Sequence, residues 1–322
     1  MGEIMYPLLL KPPVKDYLWG GSKLKTEFNI ESDKVIAAEG WMLSCHKDGE
    51  SIVLNGEFKG KTLSYALGIM GDEALGKNCA AYKDFPILIK LIDAKQKLSV
   101  QVHPDDEYAL RVEGEFGKNE MWYIVDCEEG ARLIYGFNRE LDKDEFEARI
   151  KNNTLEEVCN YVEVKKGDVF FISAGTLHAI GEGILIAEVQ QSSNSTYRVS
   201  DYGRLDAFGN PRPLHIEKAL DVTTLAPPSL PYGAIGETHT FDIGRERELA
   251  NCEFFKSKLI TLNGTKTMFY PDSFVSLVAL DGDVVIKYGA DKICFKKGES
   301  IFIPAGLNVE ISGRAELLCS YI

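Results

Sequence analysis

Apolar and polar residues alternate along this chain with two different periods. The stretch "ILIKLIDAKQKLSV" (87–100) runs or alternates apolar, as strands do. "MWYIVD" (121–126), "ARLIYGF" (131–137), "GDVFFIS" (167–173) and "GILIAEVQQSS" (183–193) carry the same short-period signal and predict four more strands. Helical spacing appears instead in "DDEYALRVEGEFG" (105–117), "TLSYALGIMGDEALG" (62–76), "DKDEFEARIKNNTLEEVCNYV" (142–162) and "LHIEKALDVTT" (214–224). "APPSLPYG" (226–233) holds three prolines and a glycine and predicts a linker. Beyond it the pattern predicts only short strands, separated by turns at "NGT", "PDS" and "DGD". The first part reads as a β-core with helical insertions and the second as a plain β-sandwich or barrel.

One strand end breaks the apolar pattern. In "SVQVHPDDEYA", alternation puts Gln101 and His103 on one face with Ser99 beside them, and Leu98, Val100 and Val102 on the other. Pro104 stops the ladder because it has no N–H to donate. A hydroxyl, an amide and an imidazole in register belong either at a surface or in a site.

Comparing the chain with itself reveals a repeat. "KKGDVFFISAG" (165–175) returns as "KKGESIFIPAG" (296–306), with seven identities in eleven positions and Ile180 opposite Ile311. Each copy reads as a charged glycine turn, a strand and a second turn, as a β-unit used twice would give. His178 aligns with Val309, so any site in the first copy is absent from the second.

Composition narrows the function classes. An apolar fraction of 45% with 26% charged residues suits a soluble globular protein. A net charge of −13 opposes nucleic acid, whose binding rests on phosphate neutralisation, but leaves room for a small anion. The short apolar run Tyr6–Leu10 is too short for a signal segment, and no stretch reaches membrane-spanning length. "MGEIMY" lacks the Ser or Thr that myristoylation wants at its sixth position. The expected location is the cytoplasm, with no membrane partner. The seven cysteines form no C-x-x-C pair, and most, including those in "VDCEEG" and "KICFKKG", read as buried free thiols.

Gly167, Ser173-Ala-Gly175 and His178 resemble the second motif of the cupin superfamily, a small β-barrel that binds metal inside. That motif commonly has Pro where Ser173 stands, and Pro304 holds the equivalent place in the second copy. "SVQVHPDDEYA", "GKNEMWYIVD", "AGTLHAI" and "AEVQQSSNSTYRVSDYGR", in this order, together with "DYLWGG" near the start, resemble the type I mannose-6-phosphate isomerases in their compact bacterial form. The resemblance implies a mainly β fold of two cupin (jelly-roll β-barrel) domains. A metal-binding domain with helical insertions would span 1–228, and a degenerate cupin without ligands 229–322. It implies a reversible isomerisation of mannose 6-phosphate and fructose 6-phosphate, with a small sugar phosphate as the partner.

Carried over residue by residue, the resemblance makes Gln101, His103, Glu120 and His178 the ligands of one zinc ion per chain. Two imidazoles and a carboxylate are ordinary zinc donors, whereas a neutral amide oxygen is not. Arg198 matches the catalytic arginine, suited to stabilising charge on oxygen. Lys118 and Glu188 both match proposed acid–base residues, and the sequence leaves the choice of base open. Ser99 and Arg204 match phosphate contacts, a task for which the guanidinium fork is suited. Asn194 departs from the family, where Asp is common, and "AEGWMLSCH" (38–46) matches its Glu-x-Trp stretch only loosely. His46, His215 and His239 lack such company and read as structural. Two other functions use the same residues: a cupin dioxygenase with Fe(II) on two histidines and a carboxylate, and a sugar-phosphate-binding cupin without catalysis.

Overall fold

A computed structural model describes residues 5–205 and 209–322, so the "MGEI" end of the myristoylation pattern lies outside the described residues. The chain divides into two units. One comprises Met1–Leu18, Ser22–Ile92 and Ile235–Ile322; the other comprises Trp19–Gly21 and Asp93–Ala234.

The first unit is built on a nine-stranded sheet. Its centre is three long antiparallel strands, Lys256–Met268, Val275–Tyr288 and Val309–Tyr321. These replace the short strands predicted after the linker. "NGT" and "DGD" are not turns: Gly264 and Gly282 sit inside strands, with φ of 147° and 75°. Glycine lets a long strand bend there without ending, since it alone adopts such φ at little cost. One face of this sheet closes over a cluster including Ile260, Leu277, Phe295, Val309 and Leu317.

The grouping differs from a cut at residue 228, because most of the first 92 residues cluster with the C-terminal segment. A backbone ladder is the reason. Leu8–Lys11 pairs antiparallel with Ser300–Ile303 on one side and Ile52–Val53 on the other. The strand of the second repeat thus pairs with the N-terminal strand on one edge and with Val275–Val278 on the other.

The second unit holds a five-stranded sheet ordered Cys159–Glu163, Arg132–Phe137, His178–Ala179, Val100–Val102, Tyr197–Ser200. It also holds three neighbouring antiparallel strands, Val169–Ile172, Glu120–Cys127 and Ile184–Gln191. Val100 and Val102 pack with Ile134, Phe146, Ile150, Leu177 and Ala219 in an apolar cluster shared with the helices Lys143–Lys151 and Ile216–Val222. That covered face sends Gln101 and His103 the opposite way, as alternation requires.

The helix expected over 142–162 stops at Lys151, and Cys159–Glu163 is a strand instead. Asn153 takes φ 57°, a left-handed conformation that ends helices, and the following residues complete the sheet edge beside Arg132–Phe137. Seven free cysteines are present. Cys294 is exposed rather than buried, because Phe295 takes the inward position of its strand, and Cys127 is only partly buried. No helix among the described residues is long and apolar enough to cross a membrane.

Candidate metal centre

Register assembles one row of the site. His178 lies opposite Gln101, and Gln101 opposite Arg198 on the next strand. Directly opposed residues share a face, so imidazole, amide and guanidinium stand side by side. The other strands supply the facing row. Glu120 and Trp122, two apart, share a face, and Glu188 is the cross-strand partner of Trp122.

Loops lock these positions. Gly175 N–H donates to the His103 carbonyl, and Ala174 N–H to Asn119 Oδ1, so the "SAGTLH" turn is tied both to the His103 strand and to the residue before Glu120. The "DYLWGG" motif meets the start of the same segment, where Gln96 N–H donates to the Trp19 carbonyl and Gly21 N–H to that of Asp93. A Cβ on Gly21 would lie 2.3 Å from Asp93 Oδ2, so any side chain there would have to displace that carboxylate.

His103, Glu120 and His178 are all buried, and one ligand atom from each lies within 4.8 Å of the others. His103 Nε2 is 3.3 Å from Glu120 Oε1, and His178 Nε2 is 4.0 Å from Glu120 Oε2. Each histidine donates its Nδ1–H to a backbone carbonyl at 2.8 Å, His103 to Ser195 and His178 to Thr176. That fixes the tautomer and leaves both Nε2 lone pairs free beside the Glu120 carboxylate, as in metal-bound histidines whose other ring nitrogen donates to a carbonyl.

Burial also keeps the imidazoles neutral. Desolvation, reinforced by the Lys118 charge, lowers the His103 pKa to about 3, and desolvation lowers that of His178. Burial opposes ionisation of Glu120, but the Lys118 ammonium against it outweighs burial and holds the carboxyl well below its usual range. Two neutral imidazoles and an ionised carboxylate are the protonation states a divalent metal requires. The residues therefore fit a metal ion.

Gln101 turns its amide NH2 toward His178 Nε2 at 3.4 Å and its Oε1 toward the Ser99 hydroxyl at 3.3 Å. A half-turn of the amide exchanges them, presenting Oε1 to the imidazoles while Ser99 Oγ accepts from the NH2. Lys118 lies within the same group, 2.5 Å from Glu120 Oε1 and 3.2 Å from His103 Nε2.

Trp122 was not singled out in the sequence, yet its buried indole N–H donates to Glu120 Oε2 at 3.0 Å and to Glu188 Oε2 at 2.8 Å. Its ring also meets His178 edge-on, with centroids 5.3 Å apart. The available signal was the i+2 spacing of "EMW", which puts an indole donor beside a ligand carboxylate.

Arg198 donates Nη1 to the Pro213 carbonyl at 3.0 Å. Burial, then the charges of Arg212 and Arg204, lower its pKa against the pull of Asp201, although a guanidinium stays charged regardless. Arg204 is bound to Asp201 and to the Lys97 carbonyl. The remaining quoted positions are peripheral: Asn194 is exposed, with its N–H on Glu115 Oε2. Glu39 in "AEGWMLSCH" accepts from Trp41 Nε1 at 2.7 Å within the other unit. His46 accepts from Asp48 N–H, His215 accepts the Arg198 backbone N–H, and His239 is exposed.

Two family descriptions match the chain. One is phosphomannose isomerase type I, catalytic domain, over residues 8–130; the other is mannose-6-phosphate isomerase, cupin domain, over 245–322. The mannose-6-phosphate isomerase ManA of Bacillus subtilis is 37% identical over 331 residues, covering 98% of this chain and 99% of its own. The chain belongs to the type I mannose-6-phosphate isomerase family.

Another relative in this family, the mannose-6-phosphate isomerase of Streptococcus mutans, is 35% identical and covers 98% of both chains. Among solved structures, the mannose 6-phosphate isomerase of Bacillus subtilis superposes with a TM-score of 0.90 at 35% identity, over 98% of this chain and 99% of its own. A mutant phosphomannose isomerase from Salmonella typhimurium, at 18% identity, covers 98% of this chain and 99% of its own and shares the fold with a TM-score of 0.78. The matched catalytic segment contains Gln101, His103 and Glu120, while His178, Glu188 and Arg198 come from sequence beyond it.

Proposed function

We propose that this family member interconverts mannose 6-phosphate and fructose 6-phosphate by moving a proton between C1 and C2 of the open-chain sugar through an enediol. Family membership over nearly the full chain supports the reaction. The observation that carries the site is the buried His103–Glu120–His178 group, with both Nε2 lone pairs free beside the carboxylate.

The ligands are His103, Glu120, His178 and, after its amide turns, Gln101. Zinc is the metal that two imidazoles and a carboxylate suit, leaving a position open. When bound, it supplies a Lewis acid for the sugar oxygens. Glu188 is the base. A carboxylate serves at neutral pH without first losing a proton, as a lysine must, and the Trp122 N–H orients it. Lys118, ion-paired with Glu120, lies among the ligand residues and donates hydrogen bonds to the sugar oxygens. Arg198, beside Gln101 in the register, stabilises negative charge developing on those oxygens. Ser99 and Arg204 lie at the other end of the Gln101 strand and take the phosphate.

The duplicated turn–strand–turn supports reading the chain as two cupins, the first bearing the ligands and the second, within 229–322, without them. The test is a coupled assay of mannose 6-phosphate conversion before and after a chelator. Turnover lost on chelation and restored by zinc is expected. Undiminished turnover by metal-free protein would remove the metal from the reaction.

A further inference from the structure

Asp201 is a nearly buried carboxylate with two guanidiniums on it. Arg204 donates Nε at 3.1 Å and Nη2 at 2.5 Å to its Oδ1; Arg212 donates Nη2 at 2.5 Å to Oδ1 and Nε at 2.7 Å to Oδ2. Arg198 joins them, because its Nη1 caps the carbonyl of Pro213, the neighbour of Arg212. Its Nε is buried and finds no hydrogen-bond acceptor among the described residues. Two guanidiniums thus hold one carboxylate with a third within electrostatic reach of all of them, an excess of two positive charges in a protein whose net charge is −13. Lys97 does not add to the excess, since its ammonium lies 3.3 Å from Glu156 and over the Tyr202 ring.

The place of this cluster along the site matters. Arg204 Nη1 is anchored on the Lys97 carbonyl, and Lys97, Ser99, Gln101 and His103 follow one another at two-residue intervals. At about 3.3 Å per residue, Ser99 and His103 are separated by roughly 13 Å. That is the reach of an extended six-carbon sugar phosphate together with its ligating groups. A dianion at the Arg end leaves C1 and C2 at the His103 end.

We infer that Arg212 is a second phosphate-binding arginine, and that Asp201 is the positioning residue holding the Arg204 and Arg212 forks side by side for one phosphate. Both arginine side chains keep a quarter to a third of their surface open, at 26% and 30%, so neither is closed off from a ligand. A carboxylate shared by two guanidiniums sets their spacing and orientation before the substrate arrives. This inference rests on the sugar-phosphate reading proposed above.

The experiment compares wild type with Arg212→Gln for KM toward mannose 6-phosphate, for competitive inhibition by inorganic phosphate, and for zinc per chain. Removing a charge-assisted contact should raise KM about tenfold or more. The phosphate inhibition constant should rise in parallel while zinc is retained. Arg212→Lys, which keeps the charge and loses the fork, should fall between the two proteins. If Arg212→Gln does not fold, the Lys variant decides: a raised KM supports the assignment and a wild-type KM removes Arg212. Wild-type values of KM and phosphate inhibition in either folded variant would mean that the arginine only tethers its loop. Should wild type fail to turn over mannose 6-phosphate, the functional reading is lost separately. Calorimetric binding of inorganic phosphate then tests the cradle alone: weaker binding in Arg212→Gln supports it, and equal binding removes it.

Discussion

The two copies of the repeat share a backbone and differ in chemistry. Both turn on a glycine with positive φ, Gly167 at 93° and Gly298 at 82°. In both, the first lysine's N–H is capped by an acidic side chain three residues on, Asp168 for Lys165 and Glu299 for Lys296. Both then run through a four-residue strand to a second positive-φ glycine, Gly175 and Gly306. Three residues later the paths part. His178 points its Nε2 at Glu120, whereas Val309 is buried against Leu277, Ile286 and their neighbours. Turn chemistry and strand pattern specify the backbone in each copy, while the surroundings differ: an imidazole beside a buried carboxylate in one, a valine in an aliphatic cluster in the other.

The sharpest way to break this contrast is at its two endpoints. His178→Ala should lose bound zinc and activity together, read by metal analysis beside the coupled assay. Full activity in a zinc-free variant would overturn the ligand assignment. Val309→His should bury an imidazole among aliphatic side chains, lowering the melting temperature without adding a second zinc. Two zinc ions per chain in that variant would mean that the second copy lost only its histidine.

A smaller effect is expected at Trp122. Trp122→Phe keeps the ring beside His178 but removes the N–H shared by Glu120 and Glu188. Outer-shell partners of metal sites typically contribute about 10–100-fold in affinity or activity. A fall of that size in turnover or zinc affinity is expected, and wild-type behaviour in both would leave the indole a packing role only. Val309→Ala should cost roughly 1–3 kcal/mol of stability by leaving a cavity. Denaturant unfolding measures that loss, and turnover should not change.

The pH dependence of the metal-free protein sharpens the contrast further. His103 is held neutral down to about pH 3 in the folded state, while an unfolded histidine titrates near pH 6.5. Between those values the unfolded chain binds the extra proton, so stability rises with pH across the window and is lost as pH falls from about 6.5 toward 3. His178, also lowered, acts in the same direction. Melting temperature against pH checks it: His103→Gln should flatten the slope in this range, and an unchanged slope would show that the imidazole is not buried neutral.

The face of the strand carrying Gln101 and His103 was legible because alternation is local: valines two apart commit one side to the apolar cluster and send the polar residues to the other. The glycine turns of the repeat were legible for the same reason, and the motif order identified the family. Other features lay beyond local pattern. "NGT" and "DGD" read as turns because nothing nearby says that long partner strands will hold the chain through them. The helix predicted over 142–162 failed at its end because pairing with Arg132–Phe137 outweighed local helical spacing. The grouping of Leu8–Lys11 with Ser300–Ile303 joins positions nearly three hundred residues apart, and no periodicity records which edges will meet.

At the site, the sequence by itself determined which residue types are present and which of them share a strand face. Only the tertiary structure decided that Trp122 bridges Glu120 and Glu188 and that Ser195 and Thr176 carbonyls fix the histidine tautomers. It alone brought Arg204 and Arg212 onto Asp201. The physical reason is the range of the forces involved. Alternation, turn preference and helix spacing act within a few bonds along the chain. Hydrogen bonds, ion pairs and desolvation act between whatever atoms the completed fold brings within about 3 Å.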